Sequence, residues 1–177
     1  MKARSLVIAL ALGVTQPIAA AQPAALSSED LHVVIYVHAM DRLEIYIGGL
    51  AMQRGARVRD LGQALVDDHT LADKRLIAYA RKHGLETIPV ESPIDPDHRP
   101  LADAEDELLS LSGKEFDDVF IGVMPDVLDA EEQALEDAIA TVDDPELEQI
   151  LRDLDGAKRS HITAIGNLES TGNYFAA

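Results

Sequence analysis

Three histidines, His38, His69 and His161, fall on the apolar stripes of three helix-like segments, and Glu44 shares the first of those segments. Imidazole and carboxylate groups aimed into a bundle of helices are the raw material of divalent metal sites. They are equally the raw material of buried hydrogen-bond networks. Glu44 recurs with Val37, Met40, Ile47 and Ala51, where a carboxylate is costly to bury unless it is paired, protonated or bound to a cation. His69 lies four residues after Leu65 and seven before Leu76, while His161 lies seven after Leu154 and four before Ile165. A further segment offers Glu131, four after Val127, with Glu132 beside it.

These spacings predict Glu44, His69, His161 and Glu131 as ligands of one divalent ion, with His38, Asp68 and Glu132 as secondary candidates. Iron, manganese and zinc all suit such nitrogen and oxygen donors. The competing expectation is that the same side chains are satisfied buried polar groups that fix helix register. The chain would then be a non-enzymatic structural or stress-related envelope protein. No Glu-x-x-His pair is present, because Val66 stands three before His69 and Lys158 three before His161. The set resembles one side of a di-iron site, and no turnover is assigned to it. His-Glu-x-x-His, Gly-x-Ser-x-Gly and phosphate-loop patterns are absent. With no cysteine, thiol catalysis, thiolate ligands and disulfides are all excluded. His32, His83 and His98 fall near helix ends or in a connection and are expected to be solvated.

The elements that must position these residues read as four helices, at about 28–54, 56–83, 113–140 and 145–169. Ser27-Ser28-Glu29-Asp30 is a helix start, Gly55 breaks the first helix from the second, and Gly84 stands where a left-handed cap belongs. Residues 84–112 carry Pro89, Pro93, Pro96 and Pro100 and read as a long crossover, with a short helix expected near 101–111. Ser112-Gly113-Lys114-Glu115 fits a capping box, and Asp143-Asp144-Pro145-Glu146 a strong start for the last helix. Pro125 is expected to kink or interrupt the third helix, and such a kink would open a pocket for a small molecule or partner. The result is an all-α bundle of two antiparallel hairpins joined by one long crossover, spanning 22–169 as a single domain. A frayed tail is expected over 170–177.

The chain opens with Lys2 and Arg4, a short apolar run from Leu6 to Val14, and Ala19-Ala20-Ala21. This is the pattern of a secretory signal, residues 1–21, cleaved near Ala21. No later segment is long and uncharged enough to span a membrane. The mature chain is therefore expected in a bacterial periplasm, with about 156 residues and enough length for a sizeable core. Loss of Lys2 and Arg4 would take the formal charge from −17 to −19, which disfavours nucleic acid and anionic membrane surfaces as partners. Self-association or an envelope partner remains open.

The runs Glu44-Ile45-Tyr46-Ile47-Gly48 and Leu65-Val66-Asp67-Asp68-His69-Thr70, followed by Leu111-Ser112-Gly113-Lys114-Glu115-Phe116-Asp117, Asp144-Pro145-Glu146-Leu147 and the late His161, resemble an exported bacterial family. It is domain-of-unknown-function family 4142, often labelled putative outer membrane protein. The resemblance covers about Leu31 to Leu168. It implies a ferritin-like four-helix bundle and supplies no established reaction. The family pattern also has an Asp-His pair on the third helix, eight residues after an aromatic. Here that aromatic is Phe120 and the pair falls on Val127-Leu128, so the resemblance implies one inward ligand lost, with Glu131 or Glu132 one turn on.

Overall fold

A computed structural model of the chain describes residues 25–89 and 107–172. Residues 1–24, which include the expected signal segment, residues 90–106 of the expected crossover with His98, and residues 173–177 lie outside the described residues. Among the described residues no helix is long and apolar enough to cross a membrane.

Helix α1 (Ser28–Arg54) begins where the Ser27 hydroxyl accepts the Asp30 amide at 2.9 Å, with Glu29 and Asp30 in its first turn. Helix α2 (Arg59–Lys82) ends at His83, and Gly84 follows at φ +86°, the left-handed stop that its sequence position predicts. Helix α3 spans Gly113–Thr141 and helix α4 spans Pro145–Gly172. Asp144 caps α4 by accepting the amides of Glu146 at 2.8 Å and Leu147 at 3.3 Å. A further helical turn lies at 107–110.

Contacts at the helix ends fix the topology. Gly55 pairs with Gly113, and the Arg57 guanidinium donates to the Leu168 carbonyl at 2.6 Å. The starts of α2 and α3 and the end of α4 therefore share one end of the bundle. At the other end Lys82 pairs with Glu146. The helices run up, down, down, up, with α2 and α3 parallel and linked by the long crossover. This is the expected all-α architecture. The closest pairing is α1 on α2, and glycine makes it possible. A Cβ on Gly48 would stand 2.7 Å from the Gly62 carbonyl oxygen, and one on Gly62 would stand 2.7 Å from the Ala51 Cβ.

Four local expectations change. Helix α2 starts at Arg59 rather than near Ala56, because residues 56–58 form a turn held from outside the helix. Asp117 of α3, wholly buried, accepts the amides of Ala56 at 2.9 Å and Arg57 at 2.8 Å. That carboxylate supplies in trans the cap that Val58 cannot. The capping box at Ser112 does not form, since Ser112 makes no side-chain cap bond and Gly113 between it and Glu115 sits at φ +61°. Helix α3 runs through Pro125 without interruption, so the proline costs it one hydrogen bond and not its continuity. Residues 170–172 continue α4 instead of fraying.

The core is divided. One apolar cluster gathers Ile47, Leu50, Leu61, Leu65, Phe116, Phe120, Met124, Leu128 and Ile165 near the α1–α2 turn. A second gathers Val33, Val34, Val37, Leu76, Tyr79, Leu135, Leu147, Leu151 and Leu154 toward the other end. Between them, on all four helices, the inward positions are polar: Asp41, Glu44, His69, Glu131, Lys158 and His161, every one buried.

Candidate metal centre

The polar layer brings together all four residues expected as primary ligands, and it adds two more. Glu44 of α1 and Glu131 of α3 meet at one ammonium group, and the rings of His69 of α2 and His161 of α4 pack on each other. Lys158 and Asp41, absent from the sequence expectation, join them.

Each imidazole is tied at one nitrogen only. His69 Nδ1 bonds Asp41 Oδ1 at 2.8 Å, and both side chains are wholly buried. His161 Nε2 bonds Asp68 Oδ2 at 3.0 Å, and Asp68 is 47% exposed, so it links the layer to solvent. Asp68, a secondary ligand candidate, orients His161 across the α2–α4 interface rather than its neighbour His69, because adjacent helical residues point to different faces. The other nitrogens, His69 Nε2 and His161 Nδ1, have no hydrogen-bond partner, and the two rings lie 5.6 Å apart. Glu44 is held only loosely, by Lys158 at 3.5 Å and by the neighbouring Glu131 carboxyl, and Glu131 Oε1 has no close donor.

Lys158 is the cation of the layer. Its Nζ lies 2.5 Å from Glu131 Oε2 and 3.5 Å from Glu44 Oε1. Burial alone would lower the ammonium's pKa, but Glu131 and Glu44 outweigh it and raise the value above the ordinary one. Burial pushes the Glu44 carboxyl well above the usual range, the Glu131 carboxylate pushes the same way, and Lys158 only partly opposes them. Burial likewise raises Asp41, against the pull of Lys158. His69 is lowered to about 2 by burial, then by the charge of Lys158 and by His161. Burial also lowers His161, against the raising influence of Asp68. The layer is thus one ion pair, Lys158 with Glu131, set among groups driven toward their neutral forms.

The secondary candidates separate. His38 Nδ1 bonds Asp73 Oδ1 at 2.5 Å across α1 and α2 and makes no bond to the layer. Glu132 faces outward with Glu136 and Asp155, and among the described residues these three are the set whose donor atoms all lie within 4.8 Å of one another. Arg159 already pairs with each of them. The expected ligand set does not meet that spacing, with the Lys158 ammonium held by its two carboxylates. Leu128, where the resemblance implied a lost inward ligand, is fully buried in the apolar cluster above the layer. His83 departs from expectation too: its side chain is only 9% exposed, and its ring packs on Tyr79 at 4.4 Å.

The donor chemistry nevertheless suits a metal ion. An imidazole fixed at one nitrogen by a carboxylate, with the other nitrogen bare, is how proteins orient histidine toward a metal. When His69 donates its Nδ1 proton to Asp41, Nε2 presents its lone pair to the layer. Glu44 adds two oxygens, one of them facing the Lys158 ammonium at 3.5 Å. His69, His161 and Glu44 would hold the ion, and Glu131 would complete the set once freed of Lys158.

An all-α bundle with a buried histidine and carboxylate layer is the class that fold and site define. The chain belongs to the family described as Domain of unknown function (DUF4142), which matches residues 15–168. No curated protein and no solved structure matches it.

Proposed function

We propose that this chain is an exported bacterial four-helix bundle that binds one divalent ion, iron, manganese or zinc, in its polar layer. His69, His161 and Glu44 are the ligands, with Glu131 as the fourth. The observation that carries this reading is the pair of buried imidazoles, each oriented by an aspartate and each left with one bare nitrogen. Leaving such atoms unpaired inside a core costs about 1–3 kcal/mol apiece, a cost that a bound ion would remove. Export rests on Lys2, Arg4, the Leu6–Val14 run and the alanines at 19–21. No catalytic step is assigned.

Equilibrium dialysis of the mature protein against zinc and manganese tests the reading, with His69→Ala and His161→Ala beside the wild type. Wild type should take up one equivalent, and each variant should lose it. Uptake that both variants retain removes the histidines from the site.

A second reading has its own support in the buried Lys158–Glu131 pair, which already neutralises the layer. Under it the chain is a non-enzymatic envelope protein whose internal charges fix helix register. The same two variants would then lose about 1–3 kcal/mol of stability, with no dependence on metal.

A further inference from the structure

The layer already contains one cation, and it is part of the chain. Lys158 comes one turn before His161 on α4, so its side chain rises on the same face. In bundle metal sites built from Glu-x-x-His pairs, that turn supplies a carboxylate ligand. Here it supplies an ammonium group instead. Glu131 is spent on that group at 2.5 Å, and Glu44 stands 3.5 Å from it. Both carboxylates of the expected ligand set therefore face a charge that a divalent ion would have to displace. Two cations a few ångströms apart in a poorly polarisable core repel strongly, so ion and ammonium cannot share the layer comfortably. Lysine is suited to give way, being a compact charge on a flexible four-carbon stem.

We propose that Lys158 is a tethered competitor for the metal site, holding Glu131 and Glu44 until a divalent ion displaces its ammonium group. The proposal rests on the metal reading above and adds what sets the affinity of that site. A divalent ion enters weakly against Lys158, and the apolar cluster above, in which Leu128 is wholly buried, offers no extra ligand to tip the balance. Lys158 acts through the ligands and is not one itself.

Isothermal titration with zinc, repeated with manganese, tests this on the mature chain. The series is wild type, Lys158→Met, Lys158→Gln, and Lys114→Met as a control on an exposed lysine. Lys158→Gln keeps a neutral hydrogen-bond donor for Glu131 and leaves every ligand in place, so it serves if Lys158→Met fails to fold. Lys158→Met, or Lys158→Gln in its place, should bind at least tenfold more tightly than wild type, and Lys114→Met should match wild type. His69→Ala added to the tight variant should abolish the gain, which separates the layer from the cluster of Glu132, Glu136 and Asp155. Tight binding by the lysine variant while wild type shows none supports the competitor and overturns wild-type metal binding. Equal affinities in wild type and lysine variant overturn the competitor and leave the metal reading standing. No binding by any variant overturns both.

Discussion

The Lys158 ammonium and the Glu131 carboxylate meet at 2.5 Å with neither side chain reaching solvent. Helices α3 and α4 are thus joined at mid-height by an ion pair, in a level of the core to which every helix contributes a buried polar residue. Removing one partner of such a pair leaves a buried charge uncompensated. Glu131→Gln should therefore cost about 3–5 kcal/mol of unfolding free energy in urea denaturation. The double change to Glu131→Gln with Lys158→Met should restore most of it. A single variant within about 1 kcal/mol of wild type would mean that the charge finds solvent or another partner.

Asp117 links α3 to the α1–α2 turn through three backbone amides, with Val58 the third at 3.4 Å. Losing a helix cap costs about 0.5–2 kcal/mol, and burial of the freed amides adds to it. Asp117→Ala should fall at or above the top of that range, and Asp117→Asn, which keeps one acceptor, well below it. Amide hydrogen exchange at Ala56 and Arg57 should speed up in the alanine variant before the rest of α2 does. Unchanged exchange there would remove Asp117 from the role.

Burial holds His69 to about 2, far below the ordinary histidine value. Between those values the unfolded chain binds the proton and the folded chain does not. The His69 contribution is therefore fully present above about pH 6.5 and is lost as pH falls, reaching about 3 kcal/mol at pH 4.5. Glu44 and Asp41 act oppositely, because a raised carboxyl favours the fold at low pH and weakens it as pH rises. The His69 part is isolated by comparing acid sensitivity with His69→Gln. Wild type should lose about 3 kcal/mol more than the variant between pH 7 and pH 4.5. Equal losses would show an imidazole that charges freely in the folded state.

Gly48 and Gly62 set the distance between α1 and α2. Gly48→Ala would press a methyl group to 2.7 Å from the Gly62 carbonyl oxygen, a backbone atom that cannot rotate away. Overpacking of this kind costs about 1–3 kcal/mol, against a gain of under 1 kcal/mol in helix propensity. Gly49→Ala is the internal comparison, since nothing lies within 4 Å of its added carbon. Gly49→Ala should be neutral or stabilising. A Gly48→Ala protein as stable as the Gly49→Ala one would mean that the helices separate at no cost.

The four helices and their hairpin-crossover-hairpin order follow from apolar stripes and from the breaks at Gly55, Gly84 and Pro145. Glu44, His69, Glu131 and His161 were legible as buried for the same reason: each recurs with aliphatic residues at helical spacing. Lys158 obeys that spacing too, four after Leu154, three before His161 and seven before Ile165. Lysine at such a position ordinarily runs its stem along the apolar surface and reaches water, so the stripe alone does not reveal an internal cation. Asp41, four after Val37 and three before Glu44, carried an equally regular and unused signal. What one helix at a time cannot disclose is register between helices. That register brings polar positions from all four helices to one level and aims Asp117 at the start of α2.

The most direct test of a metal in the layer is anomalous diffraction from crystals of the mature protein soaked in zinc. The account predicts a peak between the rings of His69 and His161, about 2.0–2.1 Å from His69 Nε2 and His161 Nδ1, with the Lys158 side chain turned away from Glu44. A peak confined to Glu132, Glu136 and Asp155 would contradict it, as would a layer in which Lys158 still holds Glu131 and no peak appears.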